Sequence, residues 1–170
     1  MTLRRNVALA TGALVFAVPA LSSCAFSYPT DEIYTPAAGA NNRAGSVDVL
    51  NGVIVATEDG SGTFIATLSN NDVDDATALD SLSGGGDDTD LAVDPFPAIE
   101  IPAGGFVNLA DDPTIKVSGE FLQGDFVEVV LDFANGDQTS LKVPVVVNGG
   151  EHAGLDGPAP ADESPTTESH

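Results

Sequence analysis

The sequence predicts an all-β fold over residues 45–148: a Greek-key β-sandwich, immunoglobulin-like or cupredoxin-like, with about seven or eight strands. Two observations carry that reading. Apolar and polar residues alternate with period two, β-branched residues are frequent, and Gly, Asn, Asp or Pro interrupt the runs at short intervals. This is the pattern of strands buried on one face and joined by tight turns. In addition, no segment carries a sustained helical stripe bounded by capping residues.

The elements follow in order. Val47 to Thr57 is the first expected strand, bulged at Asn51-Gly52, and Thr63 to Asn70 the next, with Phe64, Ala66 and Leu68 inward. Ala76 to Ser83, Ile99 to Ile101, Phe106 to Leu109 and Thr114 to Ser118 supply further strands. The clearest piece places Val127, Val129, Leu131 and Phe133 on one face with Glu128 and Asp132 opposite. Ala134-Asn135-Gly136-Asp137 then leads into Leu141, Val143, Val145 and Val147. Asn135-Gly136 marks a tight hairpin because both residues tolerate positive φ. Each flanking strand has a row of apolar side chains to bury, at about 1.5–3 kcal/mol per fully buried residue, so this hairpin is expected at the centre of the core.

Ahead of the domain, Arg4 and Arg5 precede an apolar run from Val7 to Leu21 that ends in Leu21-Ser22-Ser23-Cys24. The layout is that of a signal peptide. The run is shorter than the roughly 18–20 residues a helix needs to cross the hydrocarbon. Ser22 and Ser23 are the small residues a signal peptidase requires, and Cys24 offers the thiol that accepts a diacylglyceryl group. Residues 1–23 are therefore expected to be a lipoprotein signal peptide, cut between Ser23 and Cys24. The lipidated Cys24 then anchors the chain at the extracytoplasmic face of the cell membrane. Two or three acyl chains, at about 0.8 kcal/mol per buried methylene, hold firmly where one binds only marginally. No other cysteine exists, so the domain is stabilised by its core and not by disulfides.

Residues 24–44, rich in Ala, Asn, Pro and Thr, read as a tether. Tyr28, Tyr34 and Pro36 are its candidate partner contacts, the alternative for the tyrosines being packing on their own domain. Residues 149–170 contain Pro158, Pro160 and Pro165, five acids and few large apolar residues, and are expected to be disordered. Loss of residues 1–23 leaves 26 acids against Arg43, Lys116 and Lys142, a net charge of −23. Such a surface repels phosphate backbones and anionic headgroups. Nucleic acid is excluded as a partner, membrane contact is left to the lipid, and protein partners are favoured.

Chemistry-bearing constellations are sparse. The acids from Asp72 to Asp94 match no EF-hand loop and lack its closing Glu; they read as solvated, flexible loops. Soft-metal binding needs thiolate, thioether or imidazole. Met1 leaves with the signal peptide, Cys24 is acylated, and His152 and His170 lie beyond the sandwich. No histidine within the sandwich activates a serine, no G-x-S-x-G elbow is present, and Gly84-Gly85-Gly86 runs into Asp87 and Asp88, which repel phosphate. The sequence thus predicts a non-enzyme without metal site or cofactor.

The order Ile101-Pro102-Ala103-Gly104-Gly105, Phe106 to Leu109, Gly124-Asp125, Val127 to Phe133 and Lys142-Val143-Pro144-Val145 resembles the second half of the PCu(A)C family of periplasmic copper chaperones. Phe64 to Asn71 is similar to that family's strand and Asn-rich turn. The resemblance implies a cupredoxin-like sandwich. It also implies Cu(I) ligands, a His-x-Met pair in the stretch that here reads Thr114-Ile115-Lys116-Val117, and earlier ligands between about Asp87 and Ala98. Neither histidine nor methionine occurs in either place, so no binding residue carries over.

The lipobox, the sandwich and a tether reading Tyr34-Thr35-Pro36-Ala37-Ala38-Gly39-Ala40-Asn41 also resemble actinobacterial LpqE-type lipoproteins. That likeness implies association with the cytochrome bcc-aa3 respiratory supercomplex. The function expected is a membrane-anchored, non-catalytic accessory or interaction subunit of an envelope complex. The alternative is a copper chaperone delivering to cytochrome oxidase through ligands such as His152 or His170.

Overall fold

A computed structural model describes residues 39–157. Ten strands make up about half of it and nearly all of its regular secondary structure: β1 (Ala40–Asn42), β2 (Val47–Glu58), β3 (Ser61–Asn70), β4 (Thr77–Gly84), β5 (Ala92–Val93), β6 (Ile99–Ile101), β7 (Phe106–Asn108), β8 (Lys116–Ser118), β9 (Phe126–Phe133) and β10 (Gln138–Val147). The expected all-β sandwich is thus what forms. The two strands that the alternation did not signal, β1 and β5, are three and two residues long, too short to show a period. Among the described residues no helix is long and apolar enough to cross a membrane.

The strands pair in the order β5-β8-β3-β2-β10-β9-β4-β6, with β1 added to β2 and β7 to β3. The sheet curls into two layers because β10 serves both. Its first part, Gln138 to Pro144, runs antiparallel to β9, while Val145 to Val147 lie parallel to β2. Pro144 stands at the handover, where a residue without an N–H interrupts neither ladder's interior. Between the layers lies one core: Val47, Val49, Ile54, Phe64 and Leu68 from one side and Leu79, Val127, Val129, Leu131, Phe133 and Val143 from the other.

The bulge expected at Asn51-Gly52 is present and decides which side chains are inside. Asn51 takes φ 54, and the β2–β3 register shifts between Leu50 and Val53. An inserted residue reverses the faces of a strand whose side-chain period is two. Before the bulge Val47 and Val49 enter the core; after it Ile54 and Ala56 do. Val53 and Val55 turn to the outer face, where with Ile65 they form a second buried cluster against Ala110, Val146 and Leu155.

The β9–β10 hairpin forms as expected, but only Gly136 takes positive φ, at 87. The Gly136 N–H donates to the Phe133 carbonyl and the Phe133 N–H to the Asp137 carbonyl, each at 2.9 Å. A turn over Ala134 and Asn135 is thus closed by a left-handed glycine, a three-residue loop rather than a two-residue one. Asn135 contributes through its side chain, with Oδ1 accepting from the Asp137 N–H and Nδ2 donating to Ser46 Oγ.

Both ends of the domain reach further than composition implied. Ala40–Asn42, expected within the tether, pairs with β2, and Asn41 Oδ1 accepts the Asn51 N–H at 2.9 Å. Residues 149–157, expected to begin a disordered tail, fold back through a 3₁₀ turn, Gly150–His152, onto the outer face of the β2–β3 ladder. Leu155 caps the outer apolar cluster, and Asp156 is bound by the strands beneath it.

Candidate functional site

Ser23, Cys24, Tyr28, Tyr34 and Pro36 lie outside the described residues, as does His170. The described chain does bring together the two stretches in which the copper-chaperone resemblance would place ligands, 87–98 and 114–117. Strand β5 pairs antiparallel with β8 through Ala92↔Ser118 and Val93↔Val117, and the Asp94 N–H donates to the Lys116 carbonyl at 2.9 Å. What converges there is apolar: Leu91, Ile115 and Val117 are buried in the core, with Phe96 packed against it.

A shallow depression beside this edge is lined by Asp80, Ser81, Leu82, Val93, Asp94, Pro95 and Phe96. Its donors are carboxylates, a hydroxyl and backbone. These are hard ligands suited to hydrated divalent cations and not to Cu(I), which selects thioether, thiolate and imidazole. Among the described residues no group of three or more His, Cys, Asp or Glu side chains is placed to hold a metal ion. The residues at this edge therefore do not fit copper.

Lys116 is turned away from that edge, onto the outer face. Its Nζ donates to Thr63 Oγ1 and, at 3.2 Å, to Asp156 Oδ1. The Asp156 side chain is only 12% exposed. Its carboxylate also accepts the Thr57 N–H at 2.9 Å and the Thr63 hydroxyl at 2.6 Å, while its carbonyl accepts from the Thr57 hydroxyl and from Asn148 Nδ2. Burial works against ionisation of this carboxyl, but the hydrogen bonds from Thr63, the Thr57 N–H and Lys116 outweigh it and hold Asp156 below the usual carboxylate range. The Thr63 hydroxyl, though beside a carboxylate, is fully buried beneath residues 149–157 and is not presented to a substrate. The cluster's chemistry is that of a clasp, fixing residues 149–157 to the sheet. Composition hid it, because one Leu and one Asp among glycines give no periodic signal.

Several acids read as loosely solvated are turn-forming groups. Asp72 Oδ1 accepts the N–H groups of Asp74 and Asp75, which lowers its pKa, and Asp88 Oδ2 accepts the Glu128 N–H at 2.8 Å, tying the loop after β4 to β9. Asp137 is likewise held below its ordinary range by the Ser46 hydroxyl and N–H, bracing the hairpin turn against the start of β2. A carboxylate that accepts local backbone N–H groups is a structural element in its own right.

No family model and no curated protein matches the chain. Solved structures do match. The chain is similar to a copper-bound PCuAC domain from PmoF2, at 13% identity and TM-score 0.50 over 64% of this chain and 98% of that one. An apo PCuAC domain from PmoF1 gives 12% and 0.51 over 64% and 99%, and the apo PmoF2 domain 14% and 0.51 over 67% and 100%. Identities this low carry fold and nothing finer. The described residues have the cupredoxin-like β-sandwich fold of PCuAC domains.

Proposed function

We propose that this chain is a lipid-anchored, non-catalytic interaction subunit at the extracytoplasmic face of the cell membrane, an accessory or assembly component of an envelope complex. The observation that carries this reading is the β5–β8 edge of a PCuAC-like frame, occupied by Leu91, Ala92, Val93, Ile115 and Val117, with no methionine, cysteine or histidine in residues 87–98 or 114–118 that form it. A frame without the atoms that hold a cargo has its surface and its location to work with. The lipobox at Cys24 supports the anchorage, and the LpqE-type likeness supports the cytochrome bcc-aa3 supercomplex as partner. Tyr28, Tyr34 and Pro36 are then proposed contacts along the tether. Gentle solubilisation of membranes followed by affinity purification tests the reading: co-migration with a large complex is expected, and recovery only as a free monomer would sink it.

A copper carrier is the second reading, favoured by the likeness to a copper-bound PCuAC domain. Among the described residues it has a single imidazole, His152, in the turn after β10. A Cu(I) titration of the mature chain against a competing chelator decides it. Affinity tighter than about micromolar would restore the carrier, because a chaperone must hold its metal against other soft ligands.

A further inference from the structure

One end of the sandwich combines three features that the proposed reading leaves unused. At the end where β2 turns into β3 and the chain enters β9, three large apolar side chains stand in solvent: Leu122 at 56% exposure, Phe126 at 58% and Val147 at 57%. They are carried on a fixed frame. The Asp125 carboxylate accepts the Leu122 N–H at 2.9 Å, the Gly124 N–H donates to the Val145 carbonyl at 2.9 Å, and the Val145 N–H to the Asp125 carbonyl at 2.8 Å. Gln123 pins the loop to the end of β2, its Nε2 donating to the carbonyls of Ala56 and Thr57 and its N–H to Asp59 Oδ1. A depression beside them is lined by Asp59, Gly60, Gly119, Glu120, Phe121, Leu122 and Asp125.

Charge narrows the occupant. Asp59, Glu120 and Asp125 line the depression beside Leu122, with Glu58 next to Asp59 in the chain, while the two nearby cations each face a carboxylate, Lys116 bound to Asp156 and Lys142 opposite Glu128 in the β9–β10 ladder, which leaves this end net acidic. An anionic lipid surface is repelled by four carboxylates, and a second copy of a chain with net charge −21 brings the same sign. Exposed apolar side chains on a fixed frame in net acidic surroundings favour a partner with apolar anchors and the opposite sign. We propose that this end of the sandwich is a docking surface for a basic protein segment in which Lys or Arg alternates with aliphatic residues. The proposal rests on the interaction-subunit reading and names the surface that reading requires.

The probe is a fluorescently labelled synthetic peptide of alternating Lys and Leu, titrated into the full mature chain and followed by anisotropy at physiological salt. Saturable binding is expected. It should weaken about tenfold in a Leu122→Ser/Phe126→Ser variant, the usual cost of losing apolar anchors. Phe106→Ser should leave it unchanged, because Phe106, 69% exposed, pairs with Ser69 at the opposite end of the β2–β3 ladder. All three side chains are exposed, so the variants should fold. Equal affinity in Leu122→Ser/Phe126→Ser and the parent, or equal loss in Phe106→Ser, overturns the proposal by showing that the peptide adsorbs to acidic surface at large. A second arm separates the two readings. A membrane complex that survives Leu122→Ser/Phe126→Ser refutes this surface but keeps the interaction reading, whereas absence of any complex from the parent chain refutes the interaction reading itself.

Discussion

At the scale of single residues, Asp156 joins Thr57, Thr63, Lys116 and Asn148, and nothing in its sequence context announces it. Replacing it with Ala leaves the Lys116 ammonium, the Thr63 hydroxyl and the Thr57 N–H without their acceptor. Such a change costs about 1–3 kcal/mol, to be read from the urea midpoint, with faster amide exchange expected across residues 149–157. The sign of the pH effect follows from the depressed pKa. The contribution of Asp156 is fully present above the ordinary carboxylate pKa and is lost as pH falls through the lower folded value. Unfolding measured between about pH 7 and pH 2 should therefore show a shallower acid limb in Asp156→Asn than in the parent, with Asp72 and Asp137 supplying the slope that remains. A parent and variant with the same acid limb would mean the carboxylate is not linked to folding.

Strands and turns show how far alternation can be read and where it stops. The long elements β2, β3, β9 and β10 were legible because each presents several apolar residues to one face, and the β2 bulge was legible because alternation breaks at Asn51-Gly52. The hairpin's location was legible too, but its loop type was not, since Asn-Gly satisfies a two-residue turn and the second half of a three-residue one equally well. Glycine substitutions separate two costs. At Gly136, φ is 87 and a Cβ would meet nothing within 4 Å, so Gly136→Ala carries a conformational penalty alone, about 1–2 kcal/mol. At Gly84 a Cβ would lie 1.8 Å from the Asp88 carbonyl oxygen, which is backbone and cannot swing aside. Gly84→Ala should therefore destabilise more than Gly136→Ala in guanidinium unfolding and should disturb the Asp88 contact with β9. The reverse ranking would contradict the close approach of that loop to β4.

For the whole molecule, the proposed function makes location the central property. A Cys24→Ser variant is expected to leave the membrane fraction, or to keep an uncleaved leader, and to lose function while the domain's unfolding midpoint stays unchanged. Fractionation with mass determination checks the first part, and full activity from a released chain would contradict it. The sequence by itself determined the all-β class, the main strands and the absence of His, Met and Cys from residues 45–148. Those properties are written in side-chain type and period, which are local. Only the tertiary structure decided that β10 closes two layers, that residues 149–157 belong to the domain, that Lys116 is clasped by Asp156, and that Leu122, Phe126 and Val147 stand exposed at one acid-lined end. Each of these depends on contacts between residues far apart in the chain, and pairing of that kind leaves no periodic trace in the segments that make it.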